Sequence, residues 1–147
     1  MNPPHDIAAT VARALDEDVG TGDLTAALIP AATQARAFVI SRQPAVLCGC
    51  AWFDEVFRQL DAAVRVVWQI PDGQSLAAGK TLCALTGPAR ALVTGERTAL
   101  NFLQTLSATA TATRAYVEAI KDTDAQILDT RKTIPGLRTA QKYAVSC

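Results

Sequence analysis

The chain has 147 residues, 50% of them hydrophobic and 19% charged, and its 14 cationic side chains balance its 14 acidic ones. That composition belongs to a globular domain with a real core and excludes a disordered chain; zero net charge leaves no overall field to draw it onto nucleic acid or an anionic membrane. Cysteines at 48, 50, 83 and 147 with no Cys-x-x-Cys pair, and His5 alone among histidines, argue against a zinc site, and no apolar run approaches the roughly twenty residues that cross a bilayer.

In chain order, residues 6–18 predict a helix with Ile7, Val11, Ala14 and Leu15 on one face and Asp6 as its N-cap. It stops at Gly20 and Gly22, in a loop that leads through Asp23 to Leu24 and Thr25. Residues 34–40 alternate as a strand. Ala35, Ala37 and Val39 take one face and Phe38 and Ile40 the other, beside Arg36, which predicts burial on both sides. A short strand at 45–48 follows, then a helix at 51–60 with Trp52, Val56, Phe57 and Leu60 inward. Residues 64–70 form a further strand candidate, Pro71-Asp72-Gly73 a turn, 76–80 another turn region, and 81–85 a strand ending at Gly87 and Pro88.

From Ala89 a long helix is expected to about Ile120, with Leu92, Ala99, Leu103, Leu106 and Ala110 at helical spacing. Its stretch from 107 to 113 is small and weakly helical, so the helix is expected either to break or to pack closely there. Residues 126–128 then predict a short buried strand opening into Asp129-Thr130-Arg131-Lys132-Thr133. The order gives an α+β fold, an open sandwich of a small, mostly antiparallel sheet with helices. Residues 1–116 form its amino-terminal domain, and 117–147 the start of a second, incomplete domain, which the family resemblance given below implies is an α/β barrel of which residues 126–128 are the first strand.

Two clusters have the chemistry of anion binding. Glu96 and Arg97 occupy adjacent helix positions and so do not pair with each other; Arg97 can reach Asn101 one turn on. Arg131, Lys132, Arg138 and Lys142 place four cations within twelve residues, behind Asp122, Asp124 and Asp129. Arginine offers a planar fork suited to a carboxylate, and lysine a point charge suited to a phosphate. A solvated helix face has the same composition, so charge alone leaves both readings open. The opening Met1-Asn2-Pro3-Pro4 lacks a charged segment followed by an apolar core, so reduced thiols and a cytoplasmic location are expected.

Three stretches in this order resemble the quinolinate phosphoribosyltransferases (nicotinate-nucleotide pyrophosphorylase, carboxylating): residues 15–25, residues 95–104, and residues 128–145, which contain Asp-Thr-Arg-Lys-Thr-Ile-Pro-Gly-Leu-Arg. The resemblance implies an enzyme of NAD biosynthesis. It would join quinolinate to phosphoribosyl pyrophosphate, with magnesium, giving nicotinate mononucleotide, pyrophosphate and carbon dioxide. It also implies a homodimer or higher assembly in which one subunit's amino-terminal domain covers the other's barrel. Arg97 would reach the partner's site and bind a quinolinate carboxylate, Arg131 would bind quinolinate from the barrel side, Thr130 would orient it, and Lys132 would face phosphoribosyl pyrophosphate. Arg138 and Lys142 receive a supporting electrostatic role. No magnesium ligand is assigned within these residues, and the rest of the barrel is absent from them, which predicts a piece inactive alone. The alternatives are a related phosphoribosyltransferase acting on nicotinate or of the molybdate-transport type, or a non-catalytic binding or assembly module.

Overall fold

A computed structural model describes residues 3–147; Met1 and Asn2, which open the segment read for a secretory pattern, lie outside the described residues. The core is built around one amphipathic helix and one long one. Helix α1 (Ile7–Val19) buries Thr10, Val11 and Leu15, spaced three and four apart. A one-turn helix, α2 (Leu24–Ala27), follows the loop, with the Asp23 carboxylate accepting from the amides of Thr25 and Ala26 at 2.9 and 3.0 Å. Strands β1 (Gln34–Ile40) and β2 (Ala45–Val46) lead to α3 (Cys50–Leu60). That helix turns Trp52, Phe53, Val56 and Phe57 into the core, and Leu60 is only half-buried.

Strands β3 (Arg65–Trp68), β4 (Ser75–Leu76) and β5 (Thr81–Pro88) complete the sheets. One has the order β1-β5-β3 and the other pairs β2 with β4; all three strand pairs are antiparallel. The register between β1 and β5 passes from Val39–Cys83 to Ile40–Thr81, so Leu82 is an extra residue on β5. This bulge turns both Leu82 and Cys83 inward, against the simple alternation of a strand.

The expectation that β1 is buried on both faces is not met. Helices α3 and α4 (Ala89–Ile120) cover one face of the sheet, and β1 lies at its edge. Phe38 and Ile40 are 52% and 55% exposed, Val67 of β3 is 64% exposed, and the Arg36 guanidinium lies 4.7 Å from the Phe38 ring centre. On the inner side, small Ala35 and Ala37 leave a groove of about 390 Å³ against Phe53, Phe57, Leu92 and Leu100.

Helix α4 runs unbroken across residue 116. Its small stretch packs closely, and the hydroxyls there have partners. Ser107 Oγ accepts from the Cys48 amide at 3.0 Å and donates to the Cys48 carbonyl at 3.1 Å, and Thr111 Oγ1 accepts from the Val46 amide at 2.9 Å. The helix thus satisfies the backbone of the segment that begins with β2, which among the described residues has no second strand on that side. Farther toward the start of α4, a Cβ on Gly95 would stand 2.7 Å from Phe57 Cε1, so α3 and α4 cross in contact at this glycine.

Residues 126–128 do not form the predicted buried strand. They carry no regular structure; Ile127 is 41% and Leu128 82% exposed. A strand exists through its neighbour's amides and carbonyls, and no strand lies beside this one among the described residues. The chain ends instead in a helix absent from the sequence reading, α5 (Arg138–Ser146), which packs Ala140 and Ala144 against α4. The Tyr143 hydroxyl donates to Asp72 at 2.9 Å, its ring centre lies 5.4 Å from that of Trp52, and Arg114 donates to the Cys147 carbonyl at 3.0 Å. No helix of the described residues is long and apolar enough to cross a membrane.

Candidate functional site

The first cluster is organised by α4. Its buried stripe, Leu92, Ala99, Phe102, Leu103 and Leu106, fixes the helix on the core, and the contact at Gly95 fixes its distance from α3. Arg97 therefore projects from a rigid element, with its side chain 75% exposed. It does not pair with Asn101, as helical spacing suggested. Its Nη1 donates instead to Asp18 Oδ1 at 3.0 Å, and the other oxygen of Asp18 accepts from the buried Thr98 hydroxyl at 2.8 Å. One turn earlier the Thr94 hydroxyl donates to Asp23 at 3.0 Å. The α2 amides, Ala26 first, and then the Thr94 hydroxyl hold the Asp23 carboxyl below the ordinary value of 3.8.

Sequence reading missed the parts that Asp18 and Asp23 play. Asp23 was within reach as an N-cap before a short helical turn. Asp18 was not, because its partners are about eighty residues away along the chain. Between α1 and α4 lies an open groove of about 500 Å³, lined by Arg13, Asp18, Thr98 and Asn101 and walled on one side by residues 135–137.

The second cluster lies on the segment before α5 and on α5 itself. Thr130, Arg131 and Lys132 are all exposed, and among the described residues no ion pair or hydrogen bond engages the side chains of Arg131 or Lys132. The backbone around them is tied down. Thr130 Oγ1 accepts from the Lys132 amide at 3.2 Å, Asp129 accepts from the Thr130 amide at 2.7 Å, and Gln141 accepts from the Ile134 amide at 2.6 Å. Arg138 and Lys142, one helical turn apart on α5, reach back to Thr133 and Asp129 respectively. The Lys142 ammonium holds the Asp129 carboxyl below the ordinary value of 3.8. The structure thus leaves Arg131 and Lys132 open while Arg138 and Lys142 anchor the loop that carries them.

No hydrogen bond or ion pair joins Arg97 to residues 130–132 among the described residues. Nor does the chain offer an activated thiol nearby: burial pushes Cys83 up to about 12 and raises Cys48 and Cys50 as well. What the arrangement presents is two separate sets of exposed cationic side chains on firm supports.

The family model "Quinolinate phosphoribosyl transferase, N-terminal domain" matches residues 23–107, and its C-terminal counterpart matches residues 109–147. The chain belongs to the quinolinate phosphoribosyl transferase family. It is 43% identical to the probable nicotinate-nucleotide pyrophosphorylase [carboxylating] of Bacillus subtilis over 88% of this chain and 45% of that protein. It is 44% identical to the corresponding Mycobacterium leprae protein, over 92% of this chain and 49% of that one. The structure of the nicotinate-nucleotide pyrophosphorylase from Francisella tularensis superposes with a TM-score of 0.95 at 44% identity, covering 99% of this chain and 52% of that one. The chain spans about half the length of these relatives.

In this chain the passage from the N-terminal to the C-terminal family match falls inside α4, near residue 108. Arg97 therefore belongs to the first family domain and the cations of residues 131–142 to the second. The open, small antiparallel sheet with its covering helices is the N-terminal architecture of the family's solved structures.

Proposed function

We propose that this chain supplies the quinolinate-cradling half of a cytoplasmic phosphoribosyltransferase of NAD biosynthesis, which converts quinolinate and phosphoribosyl pyrophosphate to nicotinate mononucleotide, pyrophosphate and carbon dioxide. The observation that carries the reading is the division of the cations. Arg97 stands on one family domain and Arg131 with Lys132 on the other, all exposed and not in contact within one chain. Two copies related by a two-fold axis, each presenting Arg97 to the barrel mouth of the other, would make two equivalent sites shared across a homodimer.

The chemistry suits such a cradle. Quinolinate carries adjacent carboxylates, and Arg131 and Arg97 bind them as charge-assisted pairs, each such hydrogen bond contributing about 1.5–3 kcal/mol. Thr130 orients the ring, and Lys132 faces the phosphates of the second substrate. The ring nitrogen attacks the anomeric carbon as its bond to pyrophosphate breaks, through an oxocarbenium-like sugar, so positioning supplies much of the rate. The nitrogen is then cationic, and its positive charge stabilises the carbanion left on the adjacent ring carbon when the bond from that carbon to its carboxylate breaks; carbon dioxide leaves and a proton takes up the electron pair on that carbon. Arg138 and Lys142 keep the loop of Arg131 in place. No group of three His, Cys, Asp or Glu side chains among the described residues is placed to hold a metal ion. We assign magnesium to the pyrophosphate groups of the substrate and derive no step through it.

The reading is tested in the barrel-complete enzyme, meaning this chain together with the remaining barrel, on one polypeptide or two. Titration calorimetry should give quinolinate at least about tenfold tighter binding than nicotinate, since the second carboxylate adds at least one charge-assisted hydrogen bond. Equal affinities would remove the case for a dicarboxylate cradle.

A further inference from the structure

Asp18 joins two neighbouring side chains of α4 at once, one through each carboxylate oxygen. Its Oδ2 is fixed by the hydroxyl of Thr98, which is 3% exposed, and its Oδ1 then takes Arg97 Nη1. Asp18 itself sits in the last turn of α1, whose Val11 and Leu15 lie in the core, so the carboxylate is mounted on a rigid support. The following loop brings Asp23 onto Thr94, one turn back on α4. That path needs Gly20 at φ 52° and Gly22 at φ 136°, a region costly for residues with a Cβ. Residues 18–23 thus lay two carboxylates along consecutive turns of the helix that bears Arg97.

Arginine has five N–H donors in a planar fork. Asp18 occupies one terminal nitrogen, and no partner among the described residues takes Nε or Nη2. Those two nitrogens form the edge that a carboxylate grips with two parallel hydrogen bonds. A side chain pinned at one corner with its other edge open has surrendered rotamer freedom before a ligand arrives, so binding loses less to ordering.

Resting on the reading of Arg97 given above, we infer that Asp18 is a positioning residue. It acts through Arg97, holding the guanidinium so that its open edge meets a substrate carboxylate in the partner's site. The opposite role is also physically possible: an acid beside an arginine can compete with an incoming anion. The two differ in sign. Loss of a positioning acid weakens substrate binding, and loss of a competing one strengthens it.

The test uses the barrel-complete enzyme in steady-state kinetics with each substrate varied in turn. Asp18→Asn should raise KM for quinolinate about 5-fold, the upper range for a partly exposed ion pair. Its kcat and its KM for phosphoribosyl pyrophosphate should hold within about 2-fold, because the residue serves one substrate only. Asp18→Glu, which keeps the charge, should recover most of the loss. Thr98→Val, which frees the carboxylate but leaves both charges, should raise the same KM about 2-fold; it carries the test if Asp18→Asn does not fold. In an Arg97→Ala background Asp18→Asn should add nothing, since a residue acting through Arg97 has no route left. A KM for quinolinate that falls or stays level, that rises equally for both substrates, or that rises again without Arg97 overturns the role of Asp18 alone. If Arg97→Ala itself leaves that KM unmoved, the reading of the site fails and this inference with it.

Discussion

Arg131→Ala in the barrel-complete enzyme should lower kcat/KM for quinolinate by about 100- to 10,000-fold, the equivalent of losing two charge-assisted hydrogen bonds. The size follows from what surrounds the residue. Arg131 is exposed and engages no other side chain among the described residues, so its donors there are uncommitted before substrate binds. Removing it leaves no internal partner stranded and no cavity, and the fold should melt at an unchanged temperature. Arg131→Lys should restore only part of the activity, because a point charge cannot reproduce a planar two-point grip. Arg138→Ala is the internal comparison. Its guanidinium is tied to Thr133 and acts on the loop, so its loss should cost less than that of Arg131. Initial rates of carbon dioxide release, with quinolinate varied at saturating phosphoribosyl pyrophosphate, read all three. A loss of less than about tenfold for Arg131→Ala would contradict the assignment.

Trp52→Ala should destabilise the fold by about 3–5 kcal/mol, the usual cost of emptying a large buried site. The side chain is 1% exposed, among the largest in the core, and stacks at a tilt on Tyr143. It joins α3 to α5, so the cost falls on the interface that holds the cationic loop as well as on the core. Against a typical total of 5–15 kcal/mol, this is a large share. For a domain of this size the midpoint of thermal unfolding should drop by roughly 10 °C. Trp52→Phe, which keeps much of the volume, should cost less than half as much. Scanning calorimetry would show it, and a shift below about 2 °C would mean that the indole is not packed as described.

Much of this architecture was legible before any coordinates. Helix α4 was placed at its observed limits because the strand before it ends at Gly87 and Pro88 and five apolar positions from Leu92 to Ala110 keep helical spacing. Strand β1 was legible as a strand, but its open face was not. Phe38 and Ile40 state an apolar preference, and whether anything covers them depends on other elements. Residues 126–128 failed for the related reason that an apolar triplet becomes a strand only beside another strand. Helix α5 escaped notice because it buries little more than Ala140 and Ala144, and its stability comes from packing against α4 and from the Tyr143–Asp72 bond rather than from its own pattern. At the candidate site the cations were visible as residue types in a cluster. The brace on Arg97 was invisible, because Asp18 and Thr98 meet only once α1 and α4 are packed together.

The shared site is tested most directly by complementation between two damaged enzymes. Arg97→Ala and Arg131→Ala variants of the barrel-complete protein are each assayed alone, then mixed, allowed to exchange subunits and assayed again. In half of randomly paired dimers the subunits differ, and each such dimer gathers both substitutions into one of its two sites, leaving the other intact. The mixture should therefore recover about a quarter of the unmodified activity while each parent stays near background. If mixed dimers are demonstrated and the rate remains that of the parents, Arg97 and Arg131 do not meet across two copies of this chain.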